Sequence, residues 1–210
     1  MSARENILAR IGKARGPAAA VDVDLAIRRH QRGPIPALDK DIVKLFGERA
    51  VKLASDVSRA GTITEVPGMV ARYLRERDLP MKGVCWPVMA LLDWHNVDIE
   101  IEARAARGDD LVGITGAFLG IAETGTLMLL SGPRTPAATS LLPETHIAVV
   151  PQSRIVKAME EAWALTRQQR GELPRAVNFV SGPSRTADIE GQLQLGAHGP
   201  YRVHVIVVNA

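Results

Sequence analysis

His146-Ile147-Ala148-Val149-Val150 and Val203-His204-Val205-Ile206-Val207-Val208 are runs of mostly branched apolar residues with scarcely a polar interruption. A strand wetted on one face alternates polar and apolar side chains, whereas one covered on both faces can be apolar throughout. Both runs therefore belong in a sheet with layers packed on each side, the arrangement of largely parallel α/β domains. Further strand candidates flank them at 83–86, 97–101, 111–115, 126–130 and 176–180. Between 151 and 174, Ile155, Met159 and Ala162 mark a helix with a polar opposite face. The reading is an α/β fold: a single three-layer domain with a mostly parallel sheet.

Working upstream, Ile42, Leu45, Phe46, Leu53 and Val57 recur at helical spacing and predict one long helix from Asp39 until Gly61 interrupts it. Thr62-Ile63-Thr64-Glu65-Val66 reads as a strand, and Pro67 followed by Val70 and Leu74 as a helix. Ser2-Ala3-Arg4-Glu5 has capping-box spacing, and Ile7, Leu8 and Ile11 share a face. That predicts a short amphipathic helix ending near Gly12 or Gly16, with an apolar side that must dock. Gly16, Pro17, Gly33, Pro34 and Pro36 surround the basic run Arg28-Arg29-His30-Gln31-Arg32 and suit a solvated connector. Residues 1–38 are thus expected to form a helix and connector, and residues 39–210 the α/β domain.

Composition narrows the function. With 46% apolar and 23% charged residues in 210, the chain has the balance of a globular protein. Its one cysteine, Cys85, allows no internal disulfide and no thiolate set for a zinc ribbon or an iron–sulfur cluster. The five histidines have no ligand spacing, so no metal site and no resident cofactor are expected. The isoelectric point of about 9.3 comes with a net charge of only +3, basic and acidic residues intermingled, and 4% aromatic residues. That balance disfavours nucleic-acid binding. The start lacks the pattern of a secretory signal and no apolar run reaches bilayer length, so a cytoplasmic protein with no membrane span is expected. Neither a dinucleotide fingerprint, a P-loop nor a G-x-S-x-G elbow is present.

Three stretches are candidates for chemistry. In Gly120-Ile121-Ala122-Glu123-Thr124-Gly125-Thr126-Leu127 a polar step interrupts two apolar segments. Glu123 can serve as general base, nucleophile or partner of a cation, with Thr124, Gly125 and Thr126 around an anion. The competing reading is a tight turn at Gly125. Ser181-Gly182-Pro183-Ser184-Arg185-Thr186-Ala187-Asp188 follows a strand, where the loops of an open α/β sheet usually bind ligands. Ser181, Gly182, Ser184, Arg185, Thr186 and Asp188 are candidate anion-binding residues there, against the alternative of a capped short helix. In Gly196-Ala197-His198-Gly199-Pro200, His198 is a candidate acid, base or carboxylate binder, or simply a turn residue.

Taken together in this order, Ile121 to Leu127, Ser181 to Glu190, Leu195 to Pro200 and the final strand resemble the lactate-utilisation protein C family, whose members carry the LUD domain. The resemblance covers roughly residues 61–208 and extends to the opening helix. It implies a fold similar to those of sugar-phosphate isomerases, glucosamine-phosphate deaminases and CoA transferases. It also implies a role in oxidising L-lactate to pyruvate beside two iron–sulfur partner proteins. On that basis this chain is a component without clusters, binding a small carboxylate or a cofactor fragment between the Glu123 loop and residues 181–188. No catalytic residue transfers from the family, so whether the chain is itself an enzyme stays open. Alternatives are a stand-alone enzyme acting on a CoA thioester or phosphorylated metabolite, and a regulatory scaffold. The Gly-rich Tyr-Tyr-Asp segment that would suggest a folate cyclo-ligase is absent.

Overall fold

The computed structural model describes residues 2–15, 25, 37, 38, 41–186 and 194–209. Two compact units divide the chain, Met1–Pro36 and Ala37–Ala210. In the first, helix α1 (Ala3–Arg15) begins with the capping box that its sequence predicts. The Ser2 N–H donates to Glu5 Oε2 at 2.6 Å, and the Glu5 N–H donates to Ser2 Oγ at 3.3 Å. The helix continues through Gly12, and Ile7, Leu8 and Ile11 are exposed. The connector expected at 16–36 lies outside the described residues apart from Leu25.

The second unit opens with α2 (Ile42–Lys52), capped by Asp41, whose Oδ1 accepts from the Lys44 N–H at 2.9 Å. The long helix expected up to Gly61 does not form. α2 ends at Lys52, Ala54 turns the chain at φ 65°, and Asp56–Ala60 becomes strand β1. Pairing decides this: β1 lies parallel to the last strand from Asp56 opposite His204 to Ala60 opposite Val208, which outweighs the local helical spacing. The strand expected at 62–66 is instead a 3-10 turn, Ile63–Glu65. The Glu65 carboxylate folds back to accept from the Gly61 N–H at 3.0 Å and from Thr62 Oγ1 at 3.3 Å, closing the chain just before Pro67 enters α3 (Val66–Glu76).

The remaining strands and α-helices are β2 (Lys82–Cys85), β3 (Glu100–Ala103), β4 (Val112–Gly116), β5 (Leu119–Ile121), β6 (Thr126–Leu130), α4 (Ala138–Leu141), β7 (Thr145–Pro151), β8 (Ile155–Val156), α5 (Met159–Arg170), β9 (Val177–Val180), β10 (Arg185–Thr186), β11 (Gln194–Leu195) and β12 (Arg202–Val208). Ile155, expected in a helix, pairs instead in β8, and α5 starts at Met159.

Six strands form a sheet in the order β1-β12-β7-β4-β2-β3, every neighbouring pair parallel. The two runs that predicted a doubly covered sheet, β7 and β12, sit side by side inside it. Alternation sorts their side chains. Ile147, Val149, Ile206 and Val208 pack toward Val70 and Leu74 of α3, while Ala148, Val150, Val205 and Val207 pack toward Phe46 of α2 and Leu127 and Leu129 of β6. A second sheet, β8-β5-β6-β9, is mixed: β5 and β9 both run antiparallel to β6, and β8 runs parallel to β5. Its outer residues, Leu119, Ile121 and Met128, pack with Ala162 of α5. The architecture is mixed α/β built on a six-stranded parallel sheet.

Candidate functional site

Because the six strands are parallel, their carboxyl ends share one edge, and a cavity of about 690 Å³ opens there. Ile63 follows β1, Trp86 and Met89 follow β2, Gly116 ends β4 and Pro151 ends β7, and all five line it. Open α/β sheets bind ligands along this edge, where loops diverge and strand termini leave polar groups free.

The loop after β6 completes one side. Ser131-Gly132-Pro133-Arg134-Thr135 is a tight turn in which Gly132 and Thr135 exchange backbone hydrogen bonds of 3.2 and 3.0 Å. Thr135 Oγ1 donates to the Leu130 carbonyl at 2.8 Å, and Ser131 Oγ accepts from the Ala176 N–H at 2.9 Å. So anchored, the turn holds Arg134 at the cavity. Trp86 is fixed too, its indole N–H donating to the Pro136 carbonyl at 3.1 Å. Arg170 and Glu172, at the end of α5, also line the space.

The electrostatics favour an anion. Among the described residues neither Arg134 nor Arg170 has a carboxylate partner. Two guanidiniums share the Phe118 ring, Arg154 at 4.5 Å and Arg170 at 5.1 Å from its centroid. Arg154 donates to the Phe118 carbonyl and to Gln169 Oε1, both at 3.0 Å, and to no acid. Burial, and then the charge of Arg170, hold the Arg154 guanidinium below its ordinary pKa. With Glu172 the one carboxylate among the described lining residues, the guanidiniums leave the cavity wall net positive.

The residues singled out in the sequence gather elsewhere. Glu123, Thr124 and Gly125 form the tip joining β5 to β6, the end of that hairpin remote from the cavity. There the Glu123 N–H donates to the Lys157 carbonyl at 2.8 Å and the Gly125 N–H to the Ile121 carbonyl at 2.9 Å. Gly125 adopts φ +66°, and a Cβ on it would stand 2.3 Å from the Ala50 nitrogen, so only glycine fits against α2. Thr126 Oγ1 lies 2.7 Å from Ser181 Oγ. Gly182, at φ +83°, abuts the Leu53 carbonyl, which also accepts from Arg185 at 3.0 Å. The Ser184 N–H donates to Pro200 at 2.8 Å and the Gly196 N–H to Ser184 at 2.9 Å, bringing the exposed His198 turn alongside. Thr186 pairs with Gln194 in the β10–β11 ribbon. Asp188 lies outside the described residues.

The three motifs therefore do come together, but at the amino edge of the parallel sheet, beside the starts of β1 and β12. The reason is strand direction. β6 runs toward the cavity and β9 runs antiparallel to it, so the loop after β9 emerges at the other end. What the sequence reading missed was the set Trp86, Phe118, Arg134 and Arg170. Gly132-Pro133 before Arg134 was the available signal, a turn at the end of an apolar strand.

A second polar cluster also went unseen because its members are scattered in sequence. Asp56 accepts from Tyr73 Oη at 3.0 Å and from Arg77 at 2.7 Å, Tyr73 stacks on His204 at 4.2 Å, and His204 Nε2 lies 2.5 Å from Ser58 Oγ. These groups border a cleft of about 180 Å³. Burial, and then Asp56, push the Tyr73 phenol well above its usual value. Burial holds His204 down to about 4 although Asp56 opposes the shift. On the other sheet face His146, also lowered to about 4 by burial, has Nε2 2.8 Å from Thr115 Oγ1. Burial raises the Cys85 thiol to about 11, which keeps it protonated and unreactive. Among the described residues no three His, Cys, Asp or Glu side chains converge as a metal site, and no helix is long and apolar enough to cross a membrane.

Comparison with known proteins gives a consistent picture. Residues 88–208 match the family described as LUD domain. The chain is 44% identical over 119 residues to lactate utilization protein C 1 of Bacillus mycoides, covering 55% of this chain and 50% of that protein. It is 35% identical over 157 residues to lactate utilization protein C of Bacillus licheniformis, covering 68% and 62%. The matches thus span 50% and 62% of the length of these curated relatives, less than two-thirds of either. Among solved structures, a DUF162 family protein from Deinococcus radiodurans superposes with a TM-score of 0.61 at 25% identity, over 83% of this chain and all of that one. With more than half of its length inside the matched domain, and with the motifs and the sheet described above, the chain belongs to the LUD domain family.

Proposed function

We propose that this chain is the cluster-free component of a cytoplasmic L-lactate utilisation system, and that it works by binding an anionic ligand in the cavity at the carboxyl edge of its sheet. Relatives named for lactate utilisation support the first part. The observation that carries the second is the pair Arg134 and Arg170, which lines one cavity with neither in an ion pair among the described residues and with Glu172 as the one carboxylate beside them. A cation at the end of α5 also suits the helix dipole, but that does not account for Arg134 on a separate loop or for Arg154 behind Phe118. With a single, buried cysteine the chain offers no ligand set for a cluster, so electron transfer falls to iron–sulfur partner proteins.

The test is genetic. Cells carrying the Arg134→Ala/Arg170→Ala double variant in place of the wild-type gene are expected to grow normally on glucose and to fail on L-lactate, with the protein present at normal level. Undiminished growth on L-lactate would remove the cavity from the function.

A further inference from the structure

We propose that the cavity takes a phosphate joined to a flat ring system, a molecule of mononucleotide size. The phosphate lies on Arg134 and Arg170, and the ring lies along the wall made chiefly by Trp86, Val88, Met89 and Val149. This rests on the reading above that the cavity is the working site, and it names the ligand class.

Size is the first argument. The cavity measures about 690 Å³. Sites of roughly 300–1,000 Å³ enclose drug- or cofactor-sized molecules, whereas a three-carbon hydroxy acid displaces only a handful of waters of about 30 Å³ each. Lactate alone would leave most of this space to solvent. A larger ligand fills it.

Charge is the second. A single carboxylate is matched by one guanidinium, and its fork suffices. Here two guanidiniums line the cavity with one acid, Glu172, and a third stands behind Phe118. Such an excess suits the higher charge and three oxygens of a phosphate, which arginine grips bidentately.

The walls supply the third. Trp86 is 5% exposed and tethered through its indole N–H, and Phe118 is held by Arg154. The Phe118 ring already carries guanidiniums, so the apolar wall is made chiefly by the tethered Trp86 with Val88, Met89 and Val149, and a rigid apolar wall favours a flat apolar partner. Phosphate and ring together explain why one cavity combines unpaired arginines with a rigid apolar wall.

The experiment titrates the purified full chain with AMP, ADP and flavin mononucleotide, and in separate arms with adenosine, inorganic phosphate and L-lactate. Binding is followed by calorimetry and by tryptophan fluorescence, since Trp86 lines the cavity. At least one ring phosphate is expected to bind about tenfold or more tightly than every control, and the double arginine variant is expected to weaken it by about tenfold or more. The variant should keep the wild-type melting temperature. Preference between the adenine and flavin compounds identifies the ring. The proposal is overturned if inorganic phosphate or L-lactate binds as tightly as any ring phosphate, or if no ring phosphate binds. Growth on L-lactate lost in the double variant, with no ring phosphate bound by the wild type, would discard this ligand class and keep the cavity as the working site.

Discussion

The hydroxyls of Thr126 and Ser181 meet at 2.7 Å, tying the first residue of β6 to the residue that follows β9. Two motifs that stand 55 residues apart in sequence are thereby joined at the amino edge of the sheet. Thr126 is buried, so its hydroxyl has no ready substitute for this partner, while the more exposed Ser181 can turn to water. Thr126→Val keeps the shape and removes the bond. It is expected to cost about 1 kcal/mol in urea unfolding and to leave binding in the cavity unchanged. A loss of cavity binding at undiminished stability would show that the motif cluster communicates with the opposite edge.

Gly125 and Gly171 both have positive φ, +66° and +69°, but only Gly125 faces a neighbour. A Cβ at Gly171 would meet open space, whereas at Gly125 it would stand 2.3 Å from the Ala50 nitrogen. Gly171→Ala should therefore cost about 1–2 kcal/mol, the backbone penalty alone. Gly125→Ala should cost at least about 3 kcal/mol, since the hairpin tip must also move off α2. Equal losses in denaturant midpoint would contradict the packing of that tip.

His146 and His204 make stability depend on pH. Both fall to about 4 in the folded chain through burial, against about 6.5 in the unfolded one. Between those values the unfolded state binds more protons, so stability rises with pH there and is fully present above about 6.5. Acidification from pH 7 to pH 5 is expected to lower the unfolding free energy by a few kcal/mol, before most carboxylates protonate. The His146→Gln/His204→Gln double variant should flatten that slope. A wild-type urea midpoint that stays constant from pH 7 to pH 5 would mean that neither imidazole is neutral because of burial.

How far the sequence could be read follows from the range of the forces involved. The unbroken apolar runs of β7 and β12 declared a sheet covered on both faces, because that pattern depends only on each residue's own burial. Residues 56–60 read as helix because Leu53 and Val57 kept its spacing, and only pairing with β12, nearly 150 positions on, makes them a strand. The motifs containing Glu123, Ser181 and His198 were legible as separate polar stretches, and the structure brings them to one corner of the fold. Their corner could not be read, since the direction of β9 is a property of the second sheet and not of its own four residues. Arg134 and Arg170 were invisible for a similar reason: an arginine after a turn and another at a helix end become a pair only when the sheet brings them to one cavity.

Which edge of the sheet does the work can be decided by setting Glu123 against the two arginines. Among the described residues the half-buried Glu123 side chain makes no hydrogen bond or ion pair. Glu123→Gln removes a charge while keeping size, so its effect on stability should stay within about 0.5 kcal/mol. If the cavity is the site, cells with Glu123→Gln grow on L-lactate at the wild-type rate, and cells with Arg134→Ala/Arg170→Ala do not. The arginine pair is exposed and without carboxylate partners, so that variant should fold normally as well. The reverse outcome, with Glu123→Gln well folded and unable to support growth on L-lactate while the arginine variant supports it, would move the working site to the amino edge. There Glu123 would be the group that acts, and the Ser181 to Thr186 loop beside it would hold the substrate.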